Sequence, residues 1–453
     1  MRAMMLCLFV AWPAALGAMA AEKQTVLLAP ELASGDTWVA SVKVHVGGDL
    51  LVSARSQEEK LPLTVTAKLG YEERVLRWSP TGVCRSLRWY SAATADIQVG
   101  EGGRRQELPG ESRLVIAEVQ GNQTALNGVD QPLTRKQYDL LNVVGNTLAL
   151  QRLLPGRRLA EGQRWDHSSV VIGPLLGLDY VAVCEVTSVV TGVTHDEVQI
   201  RLAGTVHGTI DGAPTEMELR AAYLFDLQEK RITKFNLAIK ELRTAGEIVP
   251  GLDIVAKISV RIRPAGETTN ITSDQARIAV NQSALVGRDL LFDASSKGYR
   301  FKHDKAWYVT GEQSEMLSLR YMHDGDLVAH CNVTTLPARS QGRATGLDQF
   351  EREVRASLGE NLESVAASTR WATPSGYECL GVVATGKVAD VPIEWRYYLI
   401  AADGLPRVSF AVTVEQSQLQ RFNDSDRQLV DSLELLPVQN ETAALKKTPS
   451  ATR

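Results

Sequence analysis

Between Thr37 and Arg263 the chain changes from apolar to polar at nearly every step, and this period-two pattern restricts the fold more than anything else in the sequence. The runs LPLTVTAKL, ADIQV, SRLVIAEVQ, YVAVCEVTSVV, DEVQIRLAGTV, TEMELRAAYLFD, ITKFNLAIKELR and VAKISVRIR are rich in β-branched residues and separated by Gly, Asn, Asp or Pro. Successive side chains of a strand point to opposite faces, so each run predicts a strand with one oily side. Many such strands joined by short turns predict an antiparallel meander that curls into an open barrel or sandwich. One helix is expected to interrupt it. In PLTRKQYDLLNVVGN, Thr134 and Gln137 have capping-box spacing, Tyr138, Leu141 and Val144 share a face, and Gly145 marks the stop.

The ends of the chain read differently. MRAMMLCLFVAWPAALGAMAAEK has a single positive charge, an apolar run and an A-x-A site, the layout of a cleaved secretory signal peptide. The expected organisation is a signal peptide over 1–20, a β-rich domain over 21–264, a linker over 265–291, an α+β domain over 292–437 and a disordered tail over 438–453. The predicted location is periplasmic or secreted. Loss of Arg2 with the leader moves the formal net charge from -4 to -5, too mild to attract nucleic acid or an anionic membrane. No later run is long and apolar enough for a transmembrane span.

From Phe292 the order changes to β-β-α-β-β-β-α. LSLRYMHDGDLVAHCNVTTLP predicts a hairpin turning at Asp324-Gly325. The stretch from Thr345 to Gly359 predicts an amphipathic helix, with Thr345 and Asp348 as its capping box. A last helix is expected from Asp424, capped by Asn423. The fold class is therefore α+β, with a β-rich N-terminal part and a C-terminal part whose helices pack on an antiparallel sheet.

Chemical motifs are sparse. GVVATGKV, Gly381 to Val388, fits a phosphate loop except at Val388, where magnesium needs a hydroxyl, and Pro392 argues against the helix that should follow. In GTVHGTIDG, His207 and Asp211 would share a face on a strand but lie about 13 Å apart, too far for joint chemistry. No zincin, redox or serine-hydrolase signature occurs, so no catalytic, cofactor or metal residue is nominated. Cys84, Cys184, Cys331 and Cys379 survive cleavage, and in an oxidising compartment Cys84 with Cys184 and Cys331 with Cys379 are possible disulfides, with four buried thiols as the alternative. In WRYYLIAADGLPRVSFAVTVE, the face of Trp395, Tyr397 and Leu399 is expected to match Val408, Phe410, Val412 and Val414. Arg396 and Tyr398 then remain on the outer face, as possible ligand or partner contacts or as an ordinary pair with an acid.

With that element order, the stretch from YRFKHDKAWYV through LVAHCNVTTLP, PIEWRYYLIA and RFNDSDRQLVDSLEL resembles the Mog1/PsbP-like domain. Its members act mostly as binding or assembly modules, which implies that role here. The N-terminal meander is loosely similar to the LolA/LolB-like open, lipid-cradling barrels of lipoprotein carriers. Together the halves resemble secreted two-domain proteins of planctomycetes. The resulting expectation is an exported, non-catalytic envelope protein that binds a lipid or other apolar ligand, or a protein partner. A secreted hydrolase with an interdomain cleft and a purely structural surface protein are the alternatives.

Overall fold

The computed structural model describes residues 24–54, 57–266, 270–282, 289–338 and 345–437. The expected leader and tail lie outside the described residues. Two large antiparallel sheets dominate, one of twelve strands and one of seven.

The larger sheet begins spatially at Gln123–Gly128 and Leu114–Gln120. It continues through Cys84–Val99, Gln57–Arg77 and Thr37–Ala54, crosses to Gly251–Pro264, and returns through Arg231–Arg243, Ala213–Asp226 and Glu197–Ile210 to Tyr180–Val193 and Arg164–Asp166. Two meanders are thus joined where Thr37–Ala54 pairs with Gly251–Pro264, Val42 opposite Val260 and Val44 opposite Ile258. Every expected strand is present. Ala213–Asp226 shows the alternation well: Met217, Leu219, Tyr223 and Phe225 face the core, while Glu216, Glu218 and Arg220 face out.

The sheet curls without closing. Its two ends do not pair, yet helix α3 (Ser169–Leu176) touches both the Gln123 strand at one end and the Tyr180 strand at the other. The hollow is filled by helices α1 (Arg135–Leu141), α2 (Thr147–Gln151) and α3, whose Leu141, Leu148, Leu150, Ile172 and Leu175 join the core. Each such side chain contributes about 2 kcal/mol on burial. Where one helix was expected, three occur. The capping box of Thr134 and Gln137 forms, but α1 ends at Asn142, before Gly145. Residues Thr147 to Gln151 are all buried, so α2 has no polar face by which an amphipathic period could reveal it. In α3, Gly173 and Pro174 hide the helix in the same way.

A polar knot fastens α2 to the sheet. Glu73, fully buried, accepts hydrogen bonds from Trp38 Nε1 (2.5 Å), Ser86 Oγ (2.6 Å), Arg88 Nε (2.8 Å) and Thr147 Oγ1 (2.5 Å). Arg88 also donates to Asn146 Oδ1, and its guanidinium lies over the Tyr71 ring.

The segment expected as a linker contains helix α4 (Ser273–Val280), capped by Thr272 and Gln275. Its Ala276 and Ala279, with Ile271, pack on Leu76, Leu87, Leu114 and Ile116, on the face of the large sheet opposite its main core. This segment is docked along its helix.

The seven-stranded sheet runs Trp307–Glu312, Met316–His323, Asp326–Leu336, Arg407–Glu415, Val391–Ala401, Glu378–Val388, Leu362–Ala372. Helix α5 (Leu347–Leu358) covers one face with Phe350, Val354 and Leu358. The other face is covered by α6 (Leu419–Phe422), α7 (Ser425–Asp431) and a small sheet of Asp289–Ala294, Tyr299–Asp304 and Glu434–Leu435. Both faces are core, and this corrects the expected matching of the hairpin. Phe410 pairs with Tyr398 and Val412 with Arg396, so the valines share a face with Tyr398 and Ile400, while Trp395 and Leu399 lie under α5. A strand oily on both sides leaves period two with no face to choose.

Three smaller expectations are also corrected. Gly346, not Thr345, caps α5, and the Thr345 hydroxyl instead accepts from Arg407 Nη1. Asn423 closes α6 in the left-handed conformation and Asp424 precedes α7. The edge strand Leu362–Ala372 went unread because most of its residues are exposed.

Cys84, Cys184, Cys331 and Cys379 are free thiols, so neither of the two possible disulfides forms. Cys84 and Cys184 sit on strands seven positions apart in the large sheet, and Cys331 and Cys379 on strands three apart in the other. At about 4.8 Å per position, even three exceeds the Cα separation of roughly 7 Å that a disulfide tolerates.

Two buried histidines make stability depend on pH. His167 Nε2 bonds the Ser188 hydroxyl at 2.7 Å, and His303 Nδ1 bonds the Asp304 carbonyl at 2.9 Å. Burial pushes both down to about 4. The unfolded chain, with histidines near 6.5, binds protons more readily, so stability is full above that value and is lost as pH falls towards 4. The unfolding free energy from urea titration should fall over this window by an amount on the order of 3 kcal/mol per histidine. His167→Gln should flatten the slope, and an unchanged slope in both His167→Gln and His303→Gln would refute the assignment.

Candidate ligand cleft

The two large sheets meet through a pair of Asp-Gly turns. Asp211-Gly212 joins Glu197–Ile210 to Ala213–Asp226, and Asp324-Gly325 joins Met316–His323 to Asp326–Leu336. All four residues have positive φ (48°, 77°, 50° and 86°), as a two-residue hairpin turn of this kind requires. The turns touch backbone to backbone, and a Cβ placed on Gly212 would lie 2.6 Å from the Gly325 carbonyl oxygen.

Side chains lock this contact. The Asp179 carboxylate accepts the Asp211 backbone N–H at 2.6 Å, and the Tyr308 hydroxyl donates to Asp211 Oδ1 at 2.6 Å. Arg135, on the first turn of α1, reaches across to donate to the carbonyls of Lys305 and Trp307, with its guanidinium 4.3 Å above the Tyr308 ring. Farther along the same junction, Arg320 Nη1 lies 3.2 Å from Glu247 Oε2.

Beside these locks a cleft of about 900 Å³ opens between the two halves. Thr124, Tyr138, Asp139 and Tyr180 border it from the N-terminal side, and Tyr321 and Asp324 from the other. Tyr180 is 61% exposed there, a free aromatic face. Asp139 lies one helical turn beyond Arg135, 4.0 Å from its guanidinium, and is 59% exposed to the water of the cleft. The cleft walls still enclose its carboxyl enough to push it up to about 6, with Arg135 opposing the rise. Asp179 is raised by burial first and by neighbouring Asp211 second. The Tyr308 hydroxyl is also raised, by burial and by Asp211.

The interior of the curled sheet contrasts with this. A gap there, beside Tyr71 and Arg88, holds only about 10 Å³. The hollow in which an apolar ligand was expected is occupied by the chain's own helices.

Residues singled out from the sequence fall mostly elsewhere. His207 is on an outer face, 3.7 Å from Glu216 of the next strand. Asp211 leaves that strand for the turn and serves Tyr308, so the two are not brought together. Gly381 to Val388 is the C-terminal part of the strand Glu378–Val388, and Lys387 pairs with Glu363 at 3.0 Å. Arg396 and Tyr398 turn inward beneath α6 and α7. Tyr398 is 5% exposed and donates to Asp426 Oδ2 at 2.5 Å. Arg396 is engaged by Glu394, Asp424 and Asp426 at 2.7, 2.6 and 3.0 Å. The cleft residues Arg135, Asp139, Asp179, Tyr180 and Tyr308 were not anticipated. Their only sequence signal is the pair of Asp-Gly turns around which they gather. Among the described residues no cluster of His, Cys, Asp or Glu could hold a metal ion.

No family model matches the chain, and no curated protein matches it. Among solved structures, the cyanobacterial PsbP of Synechocystis is similar at 11% identity with a TM-score of 0.27, over 38% of this chain and 98% of that one. Lipovitellin, from a structure of its lipid–protein interactions, is similar at 11% identity with a TM-score of 0.32, over 54% of this chain and 27% of its own length. A Pseudomonas aeruginosa protein of unknown function is similar at 14% identity with a TM-score of 0.24, over 33% of this chain and 99% of that one. At these scores the likeness is a loose one of shape and carries no argument about function. No helix among the described residues is long and apolar enough to cross a membrane.

Proposed function

We propose that this is an exported binding protein whose ligand is a small polar molecule seated in the cleft between the two sheets. One observation carries the reading. The curled sheet is filled by its own helices, while about 900 Å³ lined by both halves stays open, within the size range of small-molecule sites. Most ionisable groups at the junction are already committed to joining the halves, which suits a rigid receptor better than a reaction centre. Tyr180, Asp139 and Asp324 are among the residues left facing the open space.

Native mass spectrometry of the purified chain should reveal a copurified polar compound, and adding it back should raise the melting temperature. Tyr180→Ser should weaken binding about ten-fold with little change in stability, since the side chain is mostly exposed. Retention of wild-type affinity by this variant would place the ligand elsewhere. A lipid as the copurified compound would favour the apolar-ligand expectation instead.

Asp139 supports a second reading. A carboxyl raised to about 6 in a cleft is what a general-acid hydrolase uses near neutral pH. Turnover of glycoside or ester substrates, abolished by Asp139→Asn, would establish it.

A further inference from the structure

The proposed cleft has a charge character that narrows its ligand, and the inference below rests on that reading. Three of its carboxylates are occupied by the protein itself. Asp179 accepts a turn N–H, Asp211 accepts the Tyr308 hydroxyl, and Asp304 accepts the Ala306 N–H at 2.7 Å. Asp139 and Asp324 remain open to the cleft, at 59% and 84% exposure. Arg135 is held by two carbonyls and a tyrosine face, and its nearest carboxylate oxygen, on Asp139, is 4.0 Å away. Lys305 is the other lining cation, and His323 lies 3.5 Å from Asp324. Carboxylates thus outnumber cations along one concave surface, and low-dielectric walls focus such a field into the space they enclose. One further group suits an organic guest: the exposed Tyr180 ring offers a π face.

We infer that the cleft takes an organic cation, an alkylammonium or guanidinium group, held by the Asp139 and Asp324 carboxylates from the two halves with Tyr180 as an aromatic wall. Anionic ligands are repelled by the same field. A neutral sugar would gain nothing from the excess charge. The cation can be a free polyamine or the basic side chain of an extended peptide, and both present the same chemistry.

Isothermal titration of the full chain with spermidine, the tripeptide Gly-Arg-Gly, maltose and succinate tests this. Spermidine or the tripeptide should bind, and the tighter of the two identifies the source. Asp139→Asn and Asp324→Asn should each weaken that binding about ten-fold, and raising the salt concentration should weaken it further. Both substitutions are at exposed positions, so folding is retained, and a melting curve checks this. Binding of maltose or succinate in place of the cations would overturn the inference while leaving the cleft as a binding site. Cation binding indifferent to both substitutions would overturn it as well. Failure of all four probes, with no copurified compound, would overturn the inference and the binding reading together.

Discussion

Replacing Arg88 with methionine should cost about 3–5 kcal/mol, because Glu73 would be left buried with no countercharge. Urea denaturation should show a lower midpoint at unchanged slope. The remaining partners of Glu73 are the neutral groups of Trp38, Ser86 and Thr147, which can solvate a carboxylate without neutralising it. Glu73→Leu combined with Arg88→Met should recover only part of the loss, since it removes the unpaired charge but leaves the buried Trp38, Ser86 and Thr147 donors without their acceptor. A single Arg88→Met variant within about 1 kcal/mol of wild type would show that the knot adds little to stability.

Gly212→Ala should have the next largest effect, and a different kind of effect. The residue has φ 77°, and the new methyl would meet the carbonyl oxygen and Cα of Gly325 at 2.6 and 2.9 Å. Backbone cannot yield as a flexible side chain can, so the turns must part. A cost of about 2–4 kcal/mol is expected, and it should fall on the junction. Calorimetry should then resolve two transitions where wild type shows one, and limited proteolysis should cut between the sheets. Gly100→Ala is the control. Its φ is 55° but open space surrounds it, so only the conformational cost of about 1 kcal/mol should appear. Equal effects of the two substitutions would mean that the turn contact does not hold the halves together.

Much of the strand order was legible because those strands are oily on one side only. Residues 215–226 and 232–243 could be aligned on paper, and their register in the sheet keeps Tyr223 opposite Phe235 and Leu219 opposite Ile239. Legibility failed at several elements that show no clean alternation or helical period. Helix α2 is buried all round, Gly173 and Pro174 hide α3, and the strand Val391–Ala401, covered on both faces, offered a plausible but mistaken pairing. It failed again at the junction, because Arg135, Asp179, Asp211 and Tyr308 come from four distant parts of the chain and mark no local spacing.

The amino-acid order by itself determined the antiparallel strands, the Asp324-Gly325 turn and the capped start of helix α1, since each depends on neighbours a few residues away. Only the tertiary structure decided that the curl is filled by the chain's own helices, that Arg396 and Tyr398 face inward to Asp426, and that an acidic cleft opens beside the touching turns. The physical reason is that burial and the meeting of charges depend on distances through space, which alternation along the chain does not encode.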